Sequence, residues 1–402
     1  MTGLASSLRG EFPVLGTLSR GHPMVYLDSA ATAQKPQAVI DAITRFYARD
    51  YGTIHRGVYQ LSERATLAWE AARERVAHFL TAATADEVVF VRGTTEATNL
   101  VAESFLKPRI KPGATVLVTE MEHHANIVPW QLVGAKTVPI PISDIGELDL
   151  VAAERLLAAG CEMLAVCHVS NALGTINPVA ELCRMAQRHG VPVLIDGAQA
   201  APHLGIDVQA IGCDFYCFSG HKVYGPTGIG ALWAKKEHLA NMRPYQGGGD
   251  MIDLVTFEGT TYAPPPRKFE AGTPHIAGAI GLDAALQWLE SLDRAALRHE
   301  EEELLAFGTG LLAGIPGLRL VGTAREKAGI LTFVIEGVHP HDIASILDND
   351  GVCIRAGHHC TQPLHRRLGV QATARASLAL YTTRADLETL AHGLAKIQRM
   401  FN

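Results

Sequence analysis

The sequence predicts an α/β protein with a large domain built on a mainly parallel sheet and a smaller C-terminal α/β domain. Three observations predict it. Short apolar, β-branched runs alternate with helical patterns across most of the first 290 residues, as a parallel sheet with crossover helices requires. The chain has 402 residues, more than a single core usually sustains. After a helical stretch and a charged run, the pattern restarts as a shorter strand–helix–strand unit. We expect an N-terminal segment over 1–22 that packs on the small domain, a large domain over 23–285 and a small domain over 286–402.

In order, Val88–Val91 is a strand that ends in Arg92-Gly-Thr-Thr-Glu-Ala-Thr98, which opens a helix. Thr115–Thr119 is a strand ending in Glu120-Met-Glu-His-His-Ala-Asn126, and Met163–Val169 runs into Ser170-Asn-Ala-Leu-Gly174. Pro178 starts a helix that Gly190 ends, following the usual asymmetry of helix termini. The next strand, Val191–Ile195, delivers Asp196, and Cys213–Phe218 and Ala231–Ala234 are buried strands flanking a glycine-rich turn. Leu282–Leu292 reads as helix, with Arg298-His-Glu-Glu-Glu-Glu303 on a solvated helix face. A strand at Ile330–Ile335, a helix near His341–Asn349 and a strand Val352–Arg355 complete the small unit.

Composition narrows the function. Apolar residues make up 48% and charged residues 19%, which describes a chain with a large core. A net charge of −6 without a long basic run argues against nucleic acid as a partner. No cationic start leads into an apolar core as in a secretory signal, and no apolar run approaches the ~20 residues of a membrane helix. Seven cysteines without framework spacing read as free thiols in a reducing compartment. A soluble, cytoplasmic protein is expected.

The turn Ser219-Gly-His-Lys-Val-Tyr-Gly-Pro-Thr-Gly-Ile-Gly230 holds Lys222 between two strands. A lysine fixed there can form a Schiff base once its ammonium is easier to deprotonate. Strand carboxyl ends converge on one crevice in such sheets, and here they carry Thr94, Thr95, His123, Asn171, Asp196, Gln199, Ser219 and His221. Singly, a Thr after Gly caps a helix and an Asp at a strand end makes a turn. Together they match pyridoxal phosphate (PLP). Asp196 suits the pyridine nitrogen and Gln199 the ring oxygen, while His123 can stack on the ring. Gly93-Thr-Thr95, Ser219 and His221 suit the phosphate.

At this point the chain resembles the class V aminotransferase-like, fold-type I PLP enzymes, and within them the group II (SufS-like) cysteine desulfurases. The matching stretches include Tyr26-Leu-Asp-Ser-Ala-Ala-Thr32, Ile54-His-Arg-Gly57, His168-Val-Ser-Asn-Ala-Leu-Gly174 and Asp196-Gly-Ala-Gln199. They continue with Ser219-Gly-His-Lys222, Phe269-Glu-Ala-Gly-Thr-Pro274, Arg355-Ala-Gly-His-His-Cys360 and Ala374-Arg-Ala-Ser-Leu-Ala379, spanning nearly the whole chain. The resemblance implies PLP on Lys222, its phosphate on Thr95, Ser219 and His221, and its ring on His123, Asp196 and Gln199. It also implies a homodimer in which Thr273 reaches the phosphate of the other subunit. Arg375 would bind the substrate carboxylate, with Asn171 nearby, and Cys360 would be the nucleophile, with Arg355 close by.

The other cysteines are expected to be inert. Cys213 and Cys217 share one face of a strand, Cys161, Cys167 and Cys183 lie in apolar surroundings, and Cys353 lies within a strand. Cys360 alone follows a polar Gly-His-His loop. His358-His-Cys360 invites a zinc reading, but adjacent residues rarely converge on one ion and no CxxC pair is present, so no metal is expected. The implied activity converts L-cysteine to L-alanine through a persulfide on Cys360, with His123 and Lys222 moving protons. Selenocysteine lyase activity is expected at the same site. A plain aminotransferase leaves Cys360 without a job, and a PLP-binding scaffold needs a damaged site. Sulfur would pass to a small SufE-like or SufU-like acceptor for iron–sulfur cluster assembly. His339 and His341, in Val338-His-Pro-His-Asp342, are candidates for its docking surface, against the plainer role of capping a helix.

Overall fold

A computed structural model describes residues 4–401; the first three residues of the expected N-terminal segment lie outside the described residues. The main sheet contains β1 (Val88–Val91), β2 (Thr115–Thr119), β3 (Lys136–Ile140), β4 (Met163–Cys167), β5 (Val193–Asp196), β6 (Phe215–Ser219) and β7 (Gly230–Ala234). Its order is β1-β7-β6-β5-β4-β2-β3. Only β7 is antiparallel to its neighbours, because the Gly220–Ile229 connection is too short for the crossover that parallel pairing demands. The carboxyl ends of β1, β2, β4, β5 and β6 therefore share one edge, where β7 begins.

Both sheet faces are covered, so the strands read as continuous apolar runs. Val88, Phe90, Tyr216 and Phe218 face one core, and Val89, Val91, Phe215 and Cys217 face another. Helices α1 (Gln60–Phe79), α2 (Thr94–Leu100), α3 (Ile276–Glu290), α4 (Arg294–Ala313), α5 (Pro340–Asn349) and α6 (Arg384–Phe401) carry much of the remaining apolar surface. α1 and α3 close the first face with Trp69, Val76, Leu282 and Leu286, and α2 closes the second with Ala97 and Leu100. A third core lies between α4, α5, α6 and an antiparallel sheet of order β8 (Leu318–Val321), β9 (Ile330–Ile335), β11 (Thr373–Ser377), β10 (Arg355–Gly357).

The segment before the main sheet touches both units. Phe12 packs on Tyr224 and Trp288 and also on Tyr381, while Arg9 pairs with Asp386 at 3.0 Å. Val25–Tyr26 pairs in parallel with Val352–Cys353. That pairing splits the strand expected over Val352–Arg355. Val352 and Cys353 face the N-terminal segment, whereas Arg355 starts β10 against β11.

Three further expectations are corrected. The helix expected from Leu282 begins at Ile276. The strand expected from Cys213 begins at Phe215, so Cys213 is buried outside it. The charged run on α4 is not wholly solvated, because Glu301 is buried. Glu301 accepts hydrogen bonds from Gly329 N (2.8 Å) and Arg298 Nη1 (3.2 Å), and lies 2.7 Å from His203 Nδ1. Burial alone raises its pKa, but His203 and Arg298 outweigh burial and hold it below its usual value.

This arrangement ties the helix after Gln199 to the start of β9, and it sets an acid limit on stability. A depressed folded pKa contributes stability above the ordinary carboxylate value near ~4.3, lost as pH falls through the folded value. Glu301→Gln is expected to destabilise the fold by about 1.5–3 kcal/mol at neutral pH. Denaturant titrations at neutral pH and below ~4 should show that deficit shrinking in acid.

Candidate active site

The sheet edge opens into a cavity of about 280 Å³ lined by residues from both units. Thr94, His123, Asp196, Ser219 and Lys222 come from the strand ends, and Arg355, Cys360 and Arg375 from the small sheet and its loop. Thr95, Gln199, His221 and Asn171 also reach the wall. Thr273 does not. It is exposed and lines a separate hollow with Gly228, Tyr245 and Pro274.

At the β1 end the turn into α2 is built by close approach. Gly93 has φ 150°, and an added Cβ would sit 3.0 Å from Ser219 Oγ. Ser219 Oγ accepts from Thr94 N (2.9 Å) and lies 3.0 Å from Thr94 Oγ1. β6 and the turn before α2 are thereby joined into one polar corner, which His221 extends through Thr32 Oγ1 at 3.2 Å. Burial, helped by Lys222 and Lys35, lowers the His221 pKa to about 4, so its ring is neutral.

Deeper in, Asp196 is buried, and Oδ1 accepts from Ala198 N at 2.9 Å. Burial raises its pKa against the pull of that amide and Lys222. A carboxylate so placed calls for a cationic partner. Burial brings Lys222 down to about 8, opposed by Asp196 and assisted by Arg375. His123 falls to about 4 through burial, then through Lys222, and its Nδ1 accepts from Ala125 N (3.0 Å). That bond leaves the ring proton on Nε2. Gln199 donates to Ala30 O (2.6 Å), yet its buried Oε1 has no protein partner.

The wall thus offers a hydroxyl-rich corner, a buried carboxylate, an imidazole, an unpartnered amide oxygen and a lysine that deprotonates readily. Those groups fit PLP: the corner suits its phosphate, Asp196 its pyridinium, Gln199 and His123 its ring, and Lys222 its aldehyde.

The small unit supplies the thiol. Cys360 is exposed, on a loop where His359 (φ 51°) and Cys360 (φ 57°) both adopt left-handed backbone. Such backbone is costly without glycine and needs support. Asn171 Nδ2 donates to His359 O (2.8 Å), His124 N to Cys360 O (2.8 Å), and Gln362 N to His124 Nε2 (3.1 Å). The main-sheet edge therefore pins the small-unit loop across the cavity. Asn171 also accepts from Arg375 Nη1 through its carbonyl at 2.8 Å. Arg375 is buried and brought down to about 10 by burial despite Asp28, and its Nε has no partner.

Several contributors escaped the sequence reading. His359 lines the cavity with a buried, unpartnered Nδ1. Glu122 is buried beneath the site, accepting from Thr119 Oγ1 (2.7 Å), Asn126 Nδ2 (2.7 Å) and Cys167 N (2.9 Å), and burial pushes it up to about 7. A Glu before two histidines looks like surface, and no local signal marks it. Cys167, expected in apolar surroundings, lines the cavity beside Asp196, its partner in the β4–β5 ladder. Burial raises its thiol well above the usual value, as it does for Cys213 and Cys217. His339 caps α5, its Nδ1 accepting from His341 N (3.2 Å), while His341 is exposed.

Residues 25–390 match the family described as Aminotransferase class-V. The chain is 50% identical over 97% of its length to a cysteine desulfurase of Synechococcus elongatus, spanning 63% of that protein. It is 50% identical over 98% of its length to a probable cysteine desulfurase of Xylella fastidiosa, spanning 95% of that protein. Its structure matches that of the cysteine desulfurase CsdA of Escherichia coli with a TM-score of 0.92 and 40% identity over 99% of each chain. With a class-V match over most of its length and near-complete alignment to such relatives, this chain belongs to the class-V aminotransferase family and, within it, to the cysteine desulfurases.

Proposed function

We propose that this protein binds PLP on Lys222, takes sulfur from L-cysteine onto Cys360 as a persulfide, and releases L-alanine. One observation carries the reading: an exposed thiol and a lysine whose pKa burial lowers line the same cavity. When bound, PLP supplies an electron sink at the substrate Cα. This chain's own residues do the rest. Asp196 holds a positive charge at the ring nitrogen, and Thr94, Thr95, Ser219 and His221 hold the phosphate. Arg375, with Asn171 and Arg355, receives the substrate carboxylate. Lys222 Nζ takes the Cα proton and neutral His123 relays protons. The Cys360 thiolate attacks the substrate sulfur, an S–S bond forms, and the Cβ–S bond breaks with its electron pair left on the carbon side.

Sulfur then leaves for a small SufE-like or SufU-like acceptor that docks over the exposed Cys360 and feeds iron–sulfur cluster assembly. Selenocysteine enters the same site as a second substrate. The division of labour follows the domain reading, with residues 286–402 carrying the Cys360 loop. A cytoplasmic homodimer fits as well. Thr273 is exposed away from its own cavity, and Val58, Tyr59, Tyr51 and Phe257 leave apolar surface uncovered. No helix among the described residues is long and apolar enough to cross a membrane.

The test is direct. Purified protein should absorb in the visible range, form L-alanine from L-cysteine, and carry a persulfide on Cys360 by mass spectrometry. A colourless protein that PLP does not reconstitute overturns the reading. Arg375→Ala should raise KM for L-cysteine about 10–150-fold, the worth of a charge-assisted pair of ~1.5–3 kcal/mol. Steady-state kinetics check this, and an unchanged KM removes Arg375 from the substrate site.

A further inference from the structure

Lys35 is a half-buried cation to which the reaction gives no role. It stands beside the Lys222 turn, where its Nζ donates to Ala33 O (2.7 Å) and His221 O (2.9 Å). Burial brings its pKa down to about 8, and no carboxylate opposes that fall. The His221 carbonyl belongs to the peptide that leads into Lys222. A peptide unit is planar, so fixing that carbonyl also fixes the Lys222 amide and Cα. The turn needs such support. Its 3₁₀ segment spans only Gly220–Lys222, and Tyr224 just beyond has left-handed backbone (φ 65°). Ala33 N (3.1 Å) and Thr32 Oγ1 (3.3 Å) also donate to His221 O. Three donors thus converge on one carbonyl, and the ammonium makes the charge-assisted bond among them. The segment that carries these donors is itself anchored. Tyr26 Oη donates to Thr32 O (2.8 Å), Gln199 Nε2 to Ala30 O (2.6 Å), and Gln34 N to Tyr381 Oη (3.1 Å).

We propose that Lys35 is a positioning residue for Lys222: by clamping the His221 carbonyl it sets where the Lys222 amine stands, and so how tightly the chain holds the aldehyde of PLP. The proposal rests on the reading that PLP binds on Lys222, through condensation of the amine with the aldehyde and release of water. Without the ammonium, the peptide before Lys222 keeps only its two weaker donors, and the amine loses its fixed approach. The phosphate corner keeps its own bonds. Ser219 still holds Thr94, and the His221 ring still meets Thr32 Oγ1.

The experiment compares two ligands of the full chain freed of cofactor, by equilibrium dialysis: PLP, and pyridoxine 5′-phosphate, which has an alcohol in place of the aldehyde. Lys35→Met keeps the aliphatic stem and removes the charge and its donors. It is expected to weaken PLP at least about tenfold and to leave pyridoxine 5′-phosphate within about threefold of wild type. In a Lys222→Ala background, where no covalent link forms, Lys35→Met should change neither ligand. Equal weakening of both ligands would make Lys35 a support of the phosphate corner or of the fold and overturn the proposal. No loss for either ligand, or a loss of PLP that persists in Lys222→Ala, overturns it too. Should Lys35→Met not fold, Lys35→Gln carries the same comparison. A wild type that binds neither ligand would instead count against the proposed function, since the dialysis does not require turnover.

Discussion

Replacing Cys360 by serine is expected to reduce L-alanine formation from L-cysteine by roughly 10³-fold or more while leaving the cofactor absorbance unchanged. The hydroxyl keeps the shape and hydrogen bonds of the loop, but an alkoxide is not accessible at neutral pH, and oxygen gives no stable equivalent of a persulfide. The loop itself should survive. Its left-handed backbone at His359 and Cys360 is held by Asn171 and His124, through main-chain atoms that the substitution does not touch. Cys353→Ser is the matched control. That side chain is half-buried beside the N-terminal strand, its thiol raised by burial, and does not line the cavity. Alanine release and persulfide mass spectrometry on the two variants read the comparison. An exchange of phenotypes would move the nucleophile.

Lys222→Ala is expected to remove turnover by at least about 10²–10⁴-fold, the usual worth of a positioned acid–base group, and to eliminate the absorbance of covalently held cofactor. Asp196 and the Thr94–Ser219 corner are intact in that variant, so PLP should remain bound and removable by dialysis. The lowered lysine pKa gives the wild type a pH signature. At about 8 rather than 10.5, roughly a tenth of the amine is neutral at pH 7. Only the neutral amine takes up the aldehyde. The rate of reconstitution by PLP should therefore rise with pH and level off above about 8, as stopped-flow absorbance would record. A rate still climbing tenfold per unit at pH 9 would mean that Lys222 is not shielded from water as its burial requires.

The sequence by itself determined the alternation of strands and helices, the glycine-rich turn bearing Lys222, and the set of polar residues at strand ends. These are local features. Strand ends in a parallel sheet share an edge whatever the details of packing, so the sequence alone places Thr94, His123, Asp196 and Ser219 at one edge. Ordered motifs over most of the chain also pointed to Cys360 and Arg375.

Tertiary structure alone decided what depends on distant partners. Asp28 is 327 residues from Arg355 and 347 from Arg375, and the pairing of Val25–Tyr26 with Val352–Cys353, together with the bridge from Asp28 to Ser377, brings it between them. Glu301 looked solvated in an acidic run, yet His203 and Gly329 bury it. Glu122 drew no reading from the sequence, yet it lies under the sheet edge with three donors. Asp28 and Glu301 meet partners remote in sequence, whereas Glu122 is held by two near neighbours and by the Cys167 amide of the adjoining strand. A local pattern records which side chains are polar. Which of them are desolvated, and against what, is settled by chain packing.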